Sequence, residues 1–139
     1  MKLGTTDIKN IFLGTTEVKK IFSGTNLVWQ LTSKFLFYGG ASPQTVKKAD
    51  LDDLSTLNTS VSYGGTIQSI ATDDTHIYAA GDTTQTVRKY LKSDLSYIGE
   101  SANYGGPIYS IAVDDTHIYV GGATTQTVRK YLKSNLSYI

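Results

Sequence analysis

The stretch from Tyr63 to Ile98 reads YGGTIQSIATDDTHIYAAGDTTQTVRKYLKSDLSYI, and it recurs from Tyr104 to Ile139 as YGGPIYSIAVDDTHIYVGGATTQTVRKYLKSNLSYI. The two copies lie 41 residues apart and share 29 of 36 aligned positions. A fixed period of about 40–45 residues that contains several short strands is typical of propellers and related arrays. The repeat therefore predicts an all-β array of equivalent units.

Each repeat contains four segments in which branched and aromatic residues alternate with polar ones, a pattern typical of strands. We expect the third strand to be irregular, because alternation places Lys89 on the same face as Val87 and Leu91. The lysine would have to extend to solvent or lie at an edge, or the strand would contain a bulge. The strands predicted for the middle repeat cover about 66–72, 76–81, 86–92 and 95–102.

A third, diverged copy of the repeat precedes the other two. Its glycine at Gly40 matches Gly81 and Gly122 at the same spacing, and its first strand is expected from residues 27–32. The predicted fold class is all-β, with short N-terminal β-strand repeats followed by four-stranded, propeller-type blades that form an incomplete propeller. The predicted repeat domain covers residues 27–139, and its blades cover about 27–62, 63–103 and 104–139, the last one truncated.

The N-terminal arm, residues 1–26, carries a second and shorter repeat. Residues 3–12 read LGTTDIKNIF and residues 13–22 read LGTTEVKKIF, so the period is ten. Each unit joins a Gly-Thr turn to a strand-like run. A small meander alone buries little apolar surface, so the arm is predicted to pack on copies of itself, on a host assembly or against the blades. The residues predicted to mediate attachment or oligomerisation are Ile8, Ile11, Phe12, Val18, Ile21 and Phe22.

Composition excludes several classes of partner and site. The formal net charge is +1, which lacks the basic excess of a nucleic-acid-binding domain. There are no cysteines, so neither disulfides nor thiolate metal sites form. The sequence contains no run of 18 apolar residues, so it does not predict membrane insertion. The N-terminus lacks the apolar core of a signal peptide.

The sequence predicts no catalytic residue, metal or cofactor. The acid pairs Asp73-Asp74 and Asp114-Asp115 offer oxygen ligands that suit calcium, but adjacent side chains in a tight turn seldom converge, and aspartate favours turns by hydrogen-bonding its own backbone. The two histidines, His76 and His117, occupy the same place in successive repeats, which keeps them apart. A depolymerase or other enzyme would need an acid or histidine cluster that this sequence does not show.

The loops at one end of the predicted blades carry aromatic, amide and hydroxyl groups. Together they suit a neutral glycan, because an aromatic face and amide donors satisfy both sides of a sugar. The alternative is that Tyr-Gly-Gly is a turn in which glycine adopts positive φ and tyrosine packs between blades. The predicted ligand-binding residues are Tyr63, Gln85, Tyr104 and Gln126.

Two features together resemble proteins of tailed phages. The decapeptides LGTTDIKNIF and LGTTEVKKIF, which run into SGTNLVW, are similar to N-terminal segments of virion structural proteins, and the later units look like β-propeller repeats appended to tail and fibre proteins. The resemblance implies a virion protein, made in the host cytoplasm without a signal peptide, that contacts other virion proteins. Its repeats would project outward and meet a host surface glycan.

Three units fall short of the roughly four to eight blades that close a propeller. Either further repeats exist, or several chains complete one ring, so a homo-oligomer is expected. The alternative function is a stand-alone carbohydrate-binding propeller whose arm serves only oligomerisation.

Overall fold

The computed structural model describes residues 34–42, 44–124 and 127–139, together with the backbone of four short strands nearer the N-terminus. The chain separates into two compact units, residues 1–34 and residues 35–139. All regular structure in these described residues is β-strand, which confirms the all-β prediction. Within them, no helix is long and apolar enough to cross a membrane.

The N-terminal unit contains two antiparallel strand pairs, β1 with β2 and β3 with β4. The structure differs from the prediction that residues 27–32 supply the first strand of the first repeat, since β4 pairs with β3. Only two residues separate β3 from β4, so this hairpin closes at a small entropic cost. The boundary between the units lies after residue 34, beyond the predicted one after residue 26. These strands are β1 (Phe12–Leu13), β2 (Thr16–Glu17), β3 (Lys20–Ser23) and β4 (Asn26–Gln30).

The second unit consists of three antiparallel sheets. The first sheet has the order β5-β6-β7, the middle sheet β8-β9-β10-β11 and the last sheet β12-β13-β14, so each strand pairs with its neighbour in sequence. The strands are β5 (Phe35–Tyr38), β6 (Lys47–Asp50), β7 (Thr56–Thr59), β8 (Ile67–Thr72), β9 (His76–Gly81), β10 (Val87–Leu91), β11 (Tyr97–Glu100), β12 (Ile108–Val113), β13 (His117–Gly122) and β14 (Arg129–Leu132).

The same local irregularities recur from sheet to sheet. The pairing of β8 with β9 shifts register just after Ile67, and that of β12 with β13 shifts just after Ile108. The turns after β6, β10 and β14, one in each sheet, place a leucine in the left-handed region, with φ of 58° at Leu54, 62° at Leu95 and 63° at Leu136. A branched side chain rarely adopts positive φ, so this conformation is a specific shared feature of the repeat.

Neighbouring sheets pack face to face through two hydrophobic clusters. The first cluster joins the first and middle sheets, and the second cluster joins the middle and last sheets. All seven buried members of the first cluster have a counterpart 41 residues later in the second, so one interface is built twice. Burial of each valine, isoleucine or leucine in these clusters contributes about 1.5–3 kcal/mol. The paired members are Val46/Val87, Tyr63/Tyr104, Ile67/Ile108, Ile77/Ile118, Ala79/Val120, Tyr90/Tyr131 and Leu95/Leu136.

Candidate functional site

The two tyrosines predicted to contact a ligand lie in the core. Tyr63 and Tyr104 are fully buried members of the first and second clusters. The Tyr63 hydroxyl donates a hydrogen bond to the carbonyl of Thr86 at 2.7 Å, and the Tyr104 hydroxyl donates to that of Thr127 at 2.7 Å. Burial raises the pKa of Tyr63. A buried ring has no exposed face for a sugar, so the structure favours packing between sheets.

The backbone conformation of the glycine after each tyrosine explains why Tyr-Gly-Gly is repeated in both turns. Gly64 has a φ of 85° and Gly105 a φ of 92°, a region that a side chain disfavours. The turn directs the tyrosine ring inward, while its amide remains in the backbone network. The amide of Tyr104 donates to the carbonyl of Gln85 at 2.7 Å.

Gln85, the predicted glutamine that the structure describes, does not form an exposed site with the tyrosines. Gln85 is half-buried and has a φ of 55°, and the described structure uses its carbonyl as the acceptor for Tyr104. Gln126 lies outside the described residues. Asp82, on the same loop as Gln85, accepts a hydrogen bond from the amide of Thr66 at 3.0 Å.

The residues predicted for attachment fall partly outside the described chain. Ile8, Ile11 and Val18 lie outside it. The backbones of the other three, Phe12 in β1 and the pair Ile21 and Phe22 in β3, belong to paired strands.

The acid turns are the most densely hydrogen-bonded polar feature among the described residues. In the turn between β8 and β9, Asp73 Oδ1 accepts from the amides of Thr75 at 2.9 Å and His76 at 2.7 Å, and Oδ2 accepts from the Tyr78 hydroxyl at 3.0 Å. Asp114 makes the same set of contacts one repeat later. These bonds organise the turn itself, as predicted for aspartate in this place.

One contact distinguishes the two turns. Lys133 Nζ, from the turn after β14, lies 2.6 Å from Asp73 Oδ2 and also donates to the carbonyl of Asp114 at 2.9 Å. The last sheet is thereby tied to the middle sheet. The cleft where these turns meet has a volume of about 630 Å³, and its charged lining comprises Asp73, Asp74, Lys89, Asp114, Asp115 and Lys133.

The electrostatics of the cleft follow from these bonds. Partial burial of Asp73 raises its pKa. This effect is outweighed by the Lys133 ammonium and by hydrogen bonds from Thr75, His76 and Tyr78, which together hold the pKa of Asp73 well below its usual range. The amide of Thr116, the Tyr119 hydroxyl and the amide of His117 lower the pKa of Asp114. Both aspartates are therefore carboxylates at neutral pH, so neither is placed to act as a general acid.

The neighbouring Thr, His and Asp residues do not form a relay. Thr75 Oγ1 lies 2.7 Å from His76 Nδ1, and Asp73 Oδ1 lies 3.7 Å from the same nitrogen. In a catalytic triad the acid and the nucleophile contact opposite ring nitrogens. Burial and the charge of Lys89 lower the pKa of His76. Among the described residues, no three side chains of the metal-binding types converge.

The contact that sequence reasoning missed is a lysine that crosses between sheets. Lys48 on β6 and Lys89 on β10 lie 41 residues apart at corresponding positions and are only 8% and 7% exposed. Lys48 Nζ donates to the carbonyl of Ser93 at 2.9 Å, and Lys89 Nζ donates to that of Lys133 at 2.7 Å. The alternative of a bulge within the third strand is not what the structure shows: β10 pairs regularly with β9, and the register shift after Lys89 leaves Ile98 of β11 unpaired. The lysine at equal spacing in both repeats was the available signal, but its partner lies about one repeat further along the chain.

Comparison with known proteins gives relatives of the fold alone. No protein-family model matches the chain, and no curated protein sequence matches it. Hydrazine synthase from Kuenenia stuttgartiensis superposes with a TM-score of 0.67 at 14% identity, over 76% of this chain and 31% of that one. The computationally designed protein Ika8 superposes with a TM-score of 0.62 at 14% identity, over 86% of this chain and 41% of that one. The chain thus spans less than half the length of either structure.

Proposed function

We propose that this chain is a non-enzymatic structural protein of a tailed-phage particle. Its N-terminal unit attaches it to other virion proteins, and its 41-residue repeats form propeller-type blades that project from the particle. The decapeptides LGTTDIKNIF and LGTTEVKKIF carry the attachment half of this proposal, because they resemble N-terminal segments of virion proteins. The repeats carry the display half.

The observation that most supports a structural role is the doubled interface between sheets. The apolar side chains of the repeat lie in the two clusters, and two buried lysines bond to carbonyls of the following sheet. The polar side chains of the acid turns bond to their own turns. A repeat whose buried apolar side chains and lysines hold the neighbouring sheets in place is suited to building an extended, stable scaffold.

The blade interpretation rests on sheet order and stacking. Each sheet is a simple antiparallel meander, and the middle sheet is covered on both faces by its neighbours. Stacked antiparallel meanders are the building units of propellers, whose complete blades have four strands, as the middle sheet has. The carbohydrate-binding alternative has less support, because Tyr63 and Tyr104 are buried.

Deletion of residues 2–26 tests the attachment proposal. In a phage whose own copy is replaced by the deleted form, we expect particles to assemble without this protein, whereas particles made with the full chain contain it. Immunoblotting of purified particles measures incorporation. The far-ultraviolet circular dichroism of the purified deleted form checks that the repeats still fold. Equal incorporation of a folded, deleted form would contradict the proposal.

A further inference from the structure

The interface between successive sheets has two different sides. We call the side that a sheet turns toward the following sheet its leading face, and the side turned toward the preceding sheet its trailing face. On the leading face of the middle sheet, Tyr78 and Lys89 are directly paired across β9 and β10, and Val87 lies beside them in the second cluster. Phe37, Lys48 and Val46 are their counterparts in the first sheet.

The last sheet presents the same leading face without a following sheet in the described structure. Tyr119 and Lys130 are paired across β13 and β14 as their counterparts are. Val128 is 72% exposed, whereas Val46 and Val87 are 0% exposed. Equivalents of the residues that are buried in the two interfaces thus lie on an open surface of the last sheet.

The first sheet presents an open trailing face. Leu36 and Tyr38 are exposed, although their counterparts in the middle sheet, Ile77 and Ala79, are fully buried. Leu54 is 62% exposed, whereas Leu95 is 2% exposed. Exposed apolar residues grouped on one face mark an interaction surface.

Leu54 also keeps the backbone conformation of its buried counterparts. Its φ of 58° matches the 62° of Leu95 and the 63° of Leu136, although positive φ costs a non-glycine residue about 1–2 kcal/mol. Leu95 and Leu136 use this conformation to insert their side chains into the neighbouring sheet's cluster. The trailing face of the first sheet is therefore preformed for the same packing.

The polar contacts of the two open faces are also complementary. Lys48 donates to the carbonyls of Lys92 and Ser93, and Lys89 donates to that of Lys133. At the same spacing, Lys130 on the open leading face corresponds to the donor. On the open trailing face, the carbonyls of Leu51 and Asp52 occupy the positions of the acceptors.

We propose that the leading face of the last sheet docks onto the trailing face of the first sheet of a second copy of this chain. The occupant is a second copy because each open face matches the partner that its counterpart already has within the chain. Val128 of one copy packs against the trailing face that contains Leu54 of the next, and Lys130 bonds to the carbonyls of the Leu51–Asp52 turn. The interface joins different faces, so it forms closed rings or open filaments. This inference rests on the sheet contacts alone and does not depend on a role in phage.

Paired variants test the inference by sedimentation equilibrium, from low to high micromolar concentration. The unmodified chain is expected to self-associate. Val128→Asp and Leu54→Asp are each expected to weaken association by about tenfold or more, because each buries an unpaired carboxylate. Val61→Asp is the matched control, since Val61 and its counterpart Ala102 are both exposed. It should associate like the unmodified chain.

Mixing the two variants separates head-to-tail docking from other arrangements. Each variant retains the face that the other has lost, so an equimolar mixture is expected to form a one-to-one dimer and nothing larger. A mixture that remains monomeric, or Leu54→Asp that associates normally, would overturn head-to-tail docking. Association that neither variant changes would assign it to another surface, such as the N-terminal unit, and would also overturn the proposal.

Two further outcomes count against it. An unmodified chain that stays monomeric throughout the concentration range would overturn it directly. A Leu54→Asp monomer that is strongly destabilised, measured by thermal unfolding at low concentration, would show that the same chain already covers the trailing face. Val128→Asp, exposed on the other face, provides the second variant for this comparison.

Discussion

At the scale of single residues, Asp73 and Asp114 are almost identical sites that differ in one partner. Both carboxylates accept hydrogen bonds from their own turn and from a tyrosine hydroxyl. Only Asp73 also meets a lysine of the following sheet, at 2.6 Å, and its side chain is 17% exposed. The pair therefore isolates the contribution of one bond between sheets from that of an aspartate turn.

Asp73→Asn is expected to lower the free energy of unfolding at neutral pH by about 1–3 kcal/mol, because it removes the charge that faces Lys133. The folded pKa of Asp73 is depressed below the value of about 3.9 in an unfolded chain. Its stabilisation is therefore present above that value and is lost as pH falls toward the folded pKa. Urea unfolding at several pH values should show the difference between variant and unmodified chain shrinking below about pH 4.

The control is Asp114→Asn, which alters the same turn where no following sheet supplies a lysine in the described structure. We expect a smaller loss of stability. An equal loss from both substitutions at neutral pH would mean that Lys133 contributes nothing to the junction between the middle and last sheets.

At the scale of elements, the glycine at the end of β9 shows how the middle sheet differs from the first sheet. Gly81 ends β9 opposite Ile67 of β8, and a Cβ atom added to it would collide with the carbonyl oxygen of Thr66. Gly40, at the corresponding place in the first repeat, would meet no described atom within 4 Å. The difference arises because, among the residues that the structure describes, the first sheet has no strand that corresponds to β8.

Gly81→Ala is consequently expected to destabilise the chain by about 2 kcal/mol or more, since the backbone of β8 must move. Gly40→Ala should be neutral or stabilising by about 0.4–1 kcal/mol, because alanine reduces the freedom of the unfolded chain. Thermal unfolding of the two variants checks this. A comparable loss at Gly40 would show that a strand pairs beside it and would contradict the three-stranded first sheet.

Much of this element layout was predictable from the sequence. The 29 identical positions in the last two repeats fix the strand pattern, and the strands observed in the middle sheet begin and end within two residues of the predicted ones. The first repeat is diverged, so its spacing suggested a first strand in residues 27–32. In the structure, β4 (Asn26–Gln30) instead pairs with β3 in a local hairpin.

The predicted ligand residues and the crossing lysines show where sequence patterns lose information. Tyrosine suits both a sugar contact and a core position with a bonded hydroxyl, and alternation does not distinguish them. Lys89 looked like an exception on an apolar face because its acceptor belongs to the next sheet, 44 residues away. Which sheet covers which face is a tertiary property that a period of two does not encode.

At the scale of the whole molecule, the repeat interface is the central feature. It holds the first sheet to the middle sheet and the middle sheet to the last, with valine, tyrosine and leucine at equal spacing. The last sheet carries the same groups on an open face. Stability in such an array is a sum of repeat and interface contributions, so equivalent positions should have equivalent energies only where a neighbour is present.

Equilibrium denaturation of Val46→Ala, Val87→Ala and Val128→Ala, at a concentration where the chain is monomeric, tests this most directly. The first two valines are fully buried in successive interfaces, so each substitution is expected to cost a similar amount, about 1.5–3 kcal/mol. Val128 is exposed, so its substitution should change stability by no more than about 0.5 kcal/mol. Equal losses of unfolding free energy at all three positions, or a negligible loss at Val46 or Val87, would contradict the placement of Val46 and Val87 in two equivalent interfaces and of Val128 on an open face.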